Sequence, residues 1–168
     1  MAEKIVVPDS VRDALVAFRS KSLSGRHYIV LGYEGKNVIK IEAQGEGFAN
    51  DALALFPDGE CRYAYLRMEH IIEKNTTTKF VLLDYTPDAI PPMRKALLST
   101  HKAQVAQLLQ PVHVSVQASS RAEISDDIVE DKIGAASGTK SNVTSKSAFK
   151  VRTQTQQQTT CPTELVSR

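Results

Sequence analysis

Val11, Leu15 and Phe18 recur at helical spacing near the start of the chain, with Arg12, Asp13 and Arg19 turned elsewhere. Asp9 or Ser10 stands where this first helix needs a cap, and the polar segment 20–25 ends it. Two β-rich runs follow, 26–33 and 37–43, joined through Glu34-Gly35-Lys36 as a hairpin. A short helix over 47–56 runs into Pro57-Asp58-Gly59, whose residues supply the fixed and positive φ of a turn. Strands are predicted over 61–70 and 77–85. Pro87, Pro91 and Pro92 then stop the apolar run, and helical spacing resumes over 92–109. A strand over 112–116 comes next. Ser119 or Ser120 precedes a last helix carrying Ile124, Ile128, Val129 and Ile133, with Gly134 at its end. The order is α/β in class: a central mixed β-sheet flanked by helices.

The run from Cys61 to Met68 refines this picture. Alternation puts Cys61, Tyr63, Tyr65 and Arg67 on one face and Arg62, Ala64, Leu66 and Met68 on the other, so neither face is purely apolar. A sheet covered on both sides suits such a strand, with hydroxyls and guanidinium heads reaching the rim. On the long helix, Arg94, Lys95, Leu98 and Lys102 fall within one arc, and Met93, Leu97 and Leu108 lie on another face that is expected to pack. By spacing alone the arc reads as ordinary solvated surface, as charge runs usually do. Cations in the first turns of a helix, however, oppose its macrodipole by some tenths of a kcal/mol, which an acidic partner would offset.

At 168 residues the chain fits one domain, expected over 1–135, followed by a disordered Ser/Thr/Gln-rich tail over 136–168. The net charge of +2 divides unevenly. Beyond residue 133, Lys140, Lys146, Lys150, Arg152 and Arg168 face Glu164 alone, a balance of +4, which leaves −2 for the first 133 residues. A near-neutral domain lacks the dense cationic field that nucleic-acid binding requires. Cys61 and Cys161 form no disulfide framework or metal-spaced cluster. The start lacks the apolar core of a signal peptide, and no apolar run is long enough to span a membrane. The reducing cytosol is the expected compartment.

Catalytic patterns are not evident. His27, His70, His101 and His113 fall in separate elements, and Gly45-Glu46-Gly47 lacks the lysine and further glycines of a phosphate loop. A Cys61–His70 pair on one regular strand would be separated by roughly 30 Å. No enzymatic activity, metal or cofactor is expected.

The stretch Phe80-Val-Leu-Leu-Asp-Tyr, its Pro-containing turn, and Lys95-Ala-Leu-Leu-Ser-Thr-His-Lys102 resemble the central strand and long helix of the actin-depolymerising-factor/cofilin homology domain family. Within that family the chain is most similar to the coactosin-like branch, over roughly residues 5–133. The resemblance implies a monomeric cytoplasmic and cytoskeletal protein that binds filamentous actin without chemistry. Lys95 and Lys102 carry over directly as actin contacts, and Arg94 by proximity. Lys79 matches a lysine that coactosin-like proteins use on filaments; from sequence alone it also reads as a strand-edge lysine that discourages sheet pairing.

Two departures from the family pattern bear on function. The regulatory serine of cofilin-type proteins just after the initiator is replaced by Ala2-Glu3-Lys4. The last helix is acidic, with Glu123, Asp126, Asp127, Glu130 and Asp131, where severing members are basic. Both imply filament binding of the coactosin sort rather than sequestration or severing. Alternatives within the same resemblance are a glia-maturation-factor-like regulator of the actin branch-nucleating complex, and a protein that responds to anionic phosphoinositides through its basic residues.

Overall fold

The computed structural model describes residues 3–20, 22–72 and 74–138. The expected tail therefore lies outside the described residues beyond Gly138, as does Cys161. Nine regular elements follow in order: α1 (Asp9–Phe18), β1 (His27–Glu34), β2 (Val38–Glu46), α2 (Ala49–Ala54), β3 (Arg62–Ile72), β4 (Asn75–Tyr85), α3 (Pro92–Leu108), β5 (Val114–Ala118) and α4 (Asp126–Ala136). The five strands form one sheet in the order β2-β1-β3-β4-β5. All neighbours are antiparallel except β4 and β5. That parallel pair requires a crossover, and α3 supplies it.

β3 is central and buried on both sides, with every residue from Tyr63 to Met68 out of solvent. Its odd-numbered set, Cys61, Tyr63 and Tyr65, packs with Val11, Leu15 and Phe18 of α1 and Leu98 and Val105 of α3. The even set, Ala64, Leu66 and Met68, packs with Ala49 and Ala52 of α2 and Val129 and Ile133 of α4. The two predicted faces of this strand are thus the floors of two cores.

The polar tips on β3 do not reach the rim as expected. Tyr65 donates its hydroxyl to the Pro111 carbonyl at 2.8 Å, and the Tyr63 and Tyr33 hydroxyls meet at 3.1 Å. Arg67 is 2% exposed. Its guanidinium donates to the carbonyls of Phe18 at 2.9 Å, Ser20 at 2.5 Å and Leu23. These carbonyls lie at and just beyond the C-terminus of α1, where helical backbone acceptors have no partner of their own. A planar fork can satisfy several of them from one side chain.

Helix ends also differ from the sequence reading. Pro8, not Asp9 or Ser10, occupies the cap of α1, and no side chain caps it. Ser125 takes that role for α4 by accepting the Ile128 amide proton at 3.2 Å. Ser119 and Ser120 instead bond Glu123 in a short 3₁₀ turn. Gly134 lies inside α4, and the helix continues to Ala136. Gly47 is fixed by two demands. Its φ is +140°, and a Cβ there would lie 2.5 Å from the Asp51 carboxylate that accepts the Phe48 amide proton.

The packing face of α3 is not the one the pattern indicated. Leu98, His101 and Val105 are buried, whereas Met93 is 89% exposed. The spacing i, i+3, i+7 describes a proper core stripe, but its centre is a histidine, which a count of apolar residues passes over. His101 has no exposed surface, and among the described residues neither ring nitrogen makes a hydrogen bond of ordinary geometry. Its ring lies 5.7 Å from that of Tyr33.

Two outcomes follow from these buried groups. Arg67→Met should lower stability by roughly 3 kcal/mol, because three carbonyls lose their donor, and should appear as a reduced urea midpoint with an unchanged slope. A change under 0.5 kcal/mol would mean that water replaces the guanidinium. Burial, the larger cause, and then the Arg94 charge hold the His101 imidazole below its ordinary value. The unfolded chain therefore takes up a proton that the folded state refuses as pH falls through about 6.5. This contribution to stability is complete above that pH and is lost below it. The urea midpoint should drop between about pH 7 and about pH 5.5, and less so in His101→Leu.

Candidate functional site

The four cations expected at one surface occupy two places. Arg94, Lys95 and Lys102 lie on α3, over the sheet face that α1 also covers. Lys79 lies within β4, opposite Met68 in the register and on the face covered by α2 and α4. Six residues of extended strand separate Lys79 from Tyr85, about 20 Å, and α3 begins beyond that far end.

The α3 cations have partners inside the domain. Arg94 donates to the Lys36 carbonyl at 3.0 Å and the Gly35 carbonyl at 3.3 Å, and its guanidinium stands 5.2 Å from the Tyr33 ring centroid. It thereby fastens the start of α3 to the turn between β1 and β2. Lys95 pairs with Asp88 at 3.2 Å. Lys102 pairs with Asp84 at 2.8 Å, and Asp84, only 4% exposed, also accepts from the Thr86 hydroxyl at 3.1 Å. The acidic partners that the macrodipole argument called for are Asp84 and Asp88 of the same chain.

What α3 presents outward near its start is Met93, with Pro91, Pro92, Ala96, Ser99 and Thr100 beside it. Sequence reasoning missed this surface by placing Met93 on the packing face. Proline at the first helical position was the available signal, since it fixes where the helix starts and hence which side chains flank the preceding loop.

Lys79 is in a different situation. β5 pairs with β4 only from Val81 onward, and β1 pairs with β3 only as far as Arg67. Residues 68–72 and 75–79 therefore continue as a two-stranded ribbon beyond the rest of the sheet, with Ile71 67% exposed. Lys79 sits at the base of this ribbon, and among the described residues its ammonium forms no hydrogen bond or ion pair. Next to it, His113 accepts the Phe80 amide proton on Nδ1 at 3.0 Å, which requires that nitrogen to be unprotonated. Burial, and after it the Lys79 charge, hold His113 below its ordinary value.

Several acids near α4 also have internal tasks. Asp126 accepts the Asn50 amide proton at 2.8 Å at the start of α2, and Glu130 pairs with Arg26 at 2.7 Å. Glu123 is held below the usual carboxylate range by the Ser119 amide and by the Ser120 and Ser119 hydroxyls. The acidity of this helix is thus partly structural.

Reactive chemistry finds no support in these groups. Burial pushes the Cys61 thiol up to about 11 and the Tyr33 phenol up to about 12, so neither is a nucleophile at neutral pH. β3 runs extended from Arg62 to Ile72, which keeps Cys61 and His70 apart. Among the described residues no group of three or more His, Cys, Asp or Glu is placed to hold a metal ion, and no helix is long and apolar enough to cross a membrane.

A sequence profile of the family described as cofilin/tropomyosin-type actin-binding protein matches residues 4–134. Coactosin of Dictyostelium discoideum is 30% identical over 113 residues, which are 67% of this chain and 77% of that protein. The drebrin-like protein of Mus musculus is 27% identical over 107 residues, 63% of this chain but only 24% of its own length. In three dimensions, the crystal structure of coactosin from Entamoeba histolytica superposes with a TM-score of 0.70 at 20% identity, over 82% of this chain and 99% of that one. With its single mixed sheet covered on both faces and the family profile matched over residues 4–134, this chain belongs to the cofilin/tropomyosin-type actin-binding protein family.

Proposed function

We propose that this member of the family binds the side of filamentous actin in the coactosin manner, as a cytoplasmic monomer of the cytoskeleton, and modulates filament turnover without catalysis. The observation that carries this reading is the separation of its two presentable surfaces. Met93 and the neighbouring start of α3 lie at one end of the sheet, and Lys79, unpaired among the described residues, lies at the base of the ribbon at the other. Contacts about 20 Å apart fit within an ordinary interface of roughly 800 Å² per partner, so the choice of filament over monomer rests on the resemblance to the coactosin-like branch.

Arg94, Lys95 and Lys102 contribute in this reading chiefly by holding α3 in place, with their residual positive field guiding the approach of acidic actin side chains. Lys79 supplies a direct charge contact. Apolar burial around Met93 supplies affinity. Regulation by anionic phosphoinositides is the weaker reading, because three of the four cations that a lipid headgroup would need are already engaged within the domain.

A co-sedimentation titration with filamentous actin tests this directly. Lys79→Ala and Met93→Ala should each weaken pelleting about tenfold, the loss of one charge-assisted or one buried contact, with the thermal midpoint unmoved. Parent-like pelleting of both variants would remove these surfaces from the interface. A parent chain that fails to pellet while binding the branch-nucleating complex would favour the glia-maturation-factor-like alternative.

Lys102→Ala should behave in the opposite way. It leaves a buried Asp84 without its counter-ion and should cost roughly 3 kcal/mol of stability, while the folded fraction still pellets with actin. Normal stability together with lost pelleting would make Lys102 a direct contact.

A further inference from the structure

The connection between α1 and β1 reads Arg19-Ser20-Lys21-Ser22-Leu23-Ser24-Gly25-Arg26, with hydroxyls interleaved among cations. Its first part is tied down. Arg67 holds the Ser20 and Leu23 carbonyls, and the Ser20 and Ser22 hydroxyls bond each other at 2.7 Å. Ser24 stands beyond that anchorage. It is exposed, only its carbonyl is engaged, by His27 Nε2 at 2.7 Å, and its hydroxyl bonds no described residue. Gly25 follows with φ +86° and open space where a Cβ would stand, so the left-handed turn after Ser24 is set by a residue that adopts it without strain. In sequence, Lys21 precedes Ser24 by three residues and Arg26 follows it by two.

An exposed, unbonded hydroxyl flanked at these offsets by cations matches the needs of a kinase whose peptide groove is acidic. We propose that Ser24 is phosphorylated by a basophilic serine/threonine kinase, and that the phosphate draws Arg26 away from Glu130. In the transfer, Ser24 Oγ attacks the γ-phosphorus of Mg-ATP and a new P–O bond forms. The bridging β–γ P–O bond breaks, ADP leaves with its electron pair, and the hydroxyl proton passes to the kinase's catalytic aspartate.

The consequence follows from charge. Arg26 pairs with Glu130 at 2.7 Å across side chains that are 45% and 31% exposed, and this pair links the entry of β1 to α4. A pair so exposed is weak. A phosphoserine two residues from Arg26 carries nearly twice the charge of a carboxylate and three acceptor oxygens, so it competes successfully for the guanidinium. Glu130 is left unpaired beside a new dianion. Val129 and Ile133 keep α4 docked while its middle turn loosens.

The phosphate also lies at the end of the sheet from which the Lys79 ribbon projects. His27 is in register with Arg67, and Arg67 with Phe80, the neighbour of Lys79. There it opposes an acidic partner, a step that rests on the filament reading above.

The test uses the full chain with the catalytic domain of a basophilic kinase and Mg-ATP. Peptide mass spectrometry should place phosphate on Ser24, and Ser24→Ala should remove it. Hydrogen exchange of the phosphorylated protein should show amides near residue 130 exchanging about two- to fivefold faster, as in unphosphorylated Glu130→Gln. Phosphate confined to Ser22, or phosphate on Ser24 with unchanged exchange in α4, overturns the proposal. Pelleting with filaments should fall on phosphorylation. An unphosphorylated chain that does not pellet refutes filament binding alone and leaves the phosphorylation and exchange results to stand or fall by themselves.

Discussion

A cation in the middle of a covered sheet must be neutralised, and among the described residues no carboxylate pairs with the buried Arg67. Its charge is spread instead over the carbonyls of Phe18, Ser20 and Leu23, and its guanidinium stands 5.9 Å from the Phe80 ring centroid. The negative end of the α1 macrodipole thus serves as its counter-charge. The arrangement fixes where α1 ends and where β1 can enter the sheet. Arg19 does the same for the neighbouring helix: it donates to the Leu108 carbonyl at 2.6 Å at the end of α3 and lies 5.7 Å from the Tyr65 ring centroid. Both helices of this layer are held to the central strands through their carbonyl ends, and the orientation of α3 depends on it.

With α3 so placed, its cations fall within reach of acids from the end of β4 and the loop after it. Lys102 neutralises Asp84 and Lys95 meets Asp88, while Arg94 closes over Tyr33. Cations crowded at the start of a helix look like a recognition site, yet here much of that charge is spent inside the domain. The surfaces left for a partner are different in kind: an exposed thioether at the start of α3 and, at the base of the ribbon, an ammonium that pairs with none of the described residues. A partner would meet the domain through apolar contact at one end and charge at the other.

The same accounting applies to the acidic side. Asp126 and Glu130 bind α2 and the entry to β1, so the negative charge of α4 is as much a fastening of the second core as a feature presented to actin. Function and stability draw on the same side chains in this small domain, because many of its charged residues lie close enough to another element to be used.

Periodicity determined the element order and both faces of β3, because burial on two sides of a central strand leaves an alternation that one sequence can display, while the family was legible through the resemblance of the central strand and long helix. The sequence also identified Lys79 through resemblance and placed it within a predicted strand, although not at the base of a ribbon that outruns the sheet. Only the tertiary structure decided which cations are free. Lys95, Arg94 and Lys102 share an arc with one another, but their partners Asp88, Gly35, Lys36 and Asp84 come from distant or separately folded segments, and no spacing rule relates them. His101 and Arg67 were illegible for the same reason. Polar letters at core positions are recognisable only when the neighbouring element that shields or satisfies them is in place, and that placement is a property of the packed fold.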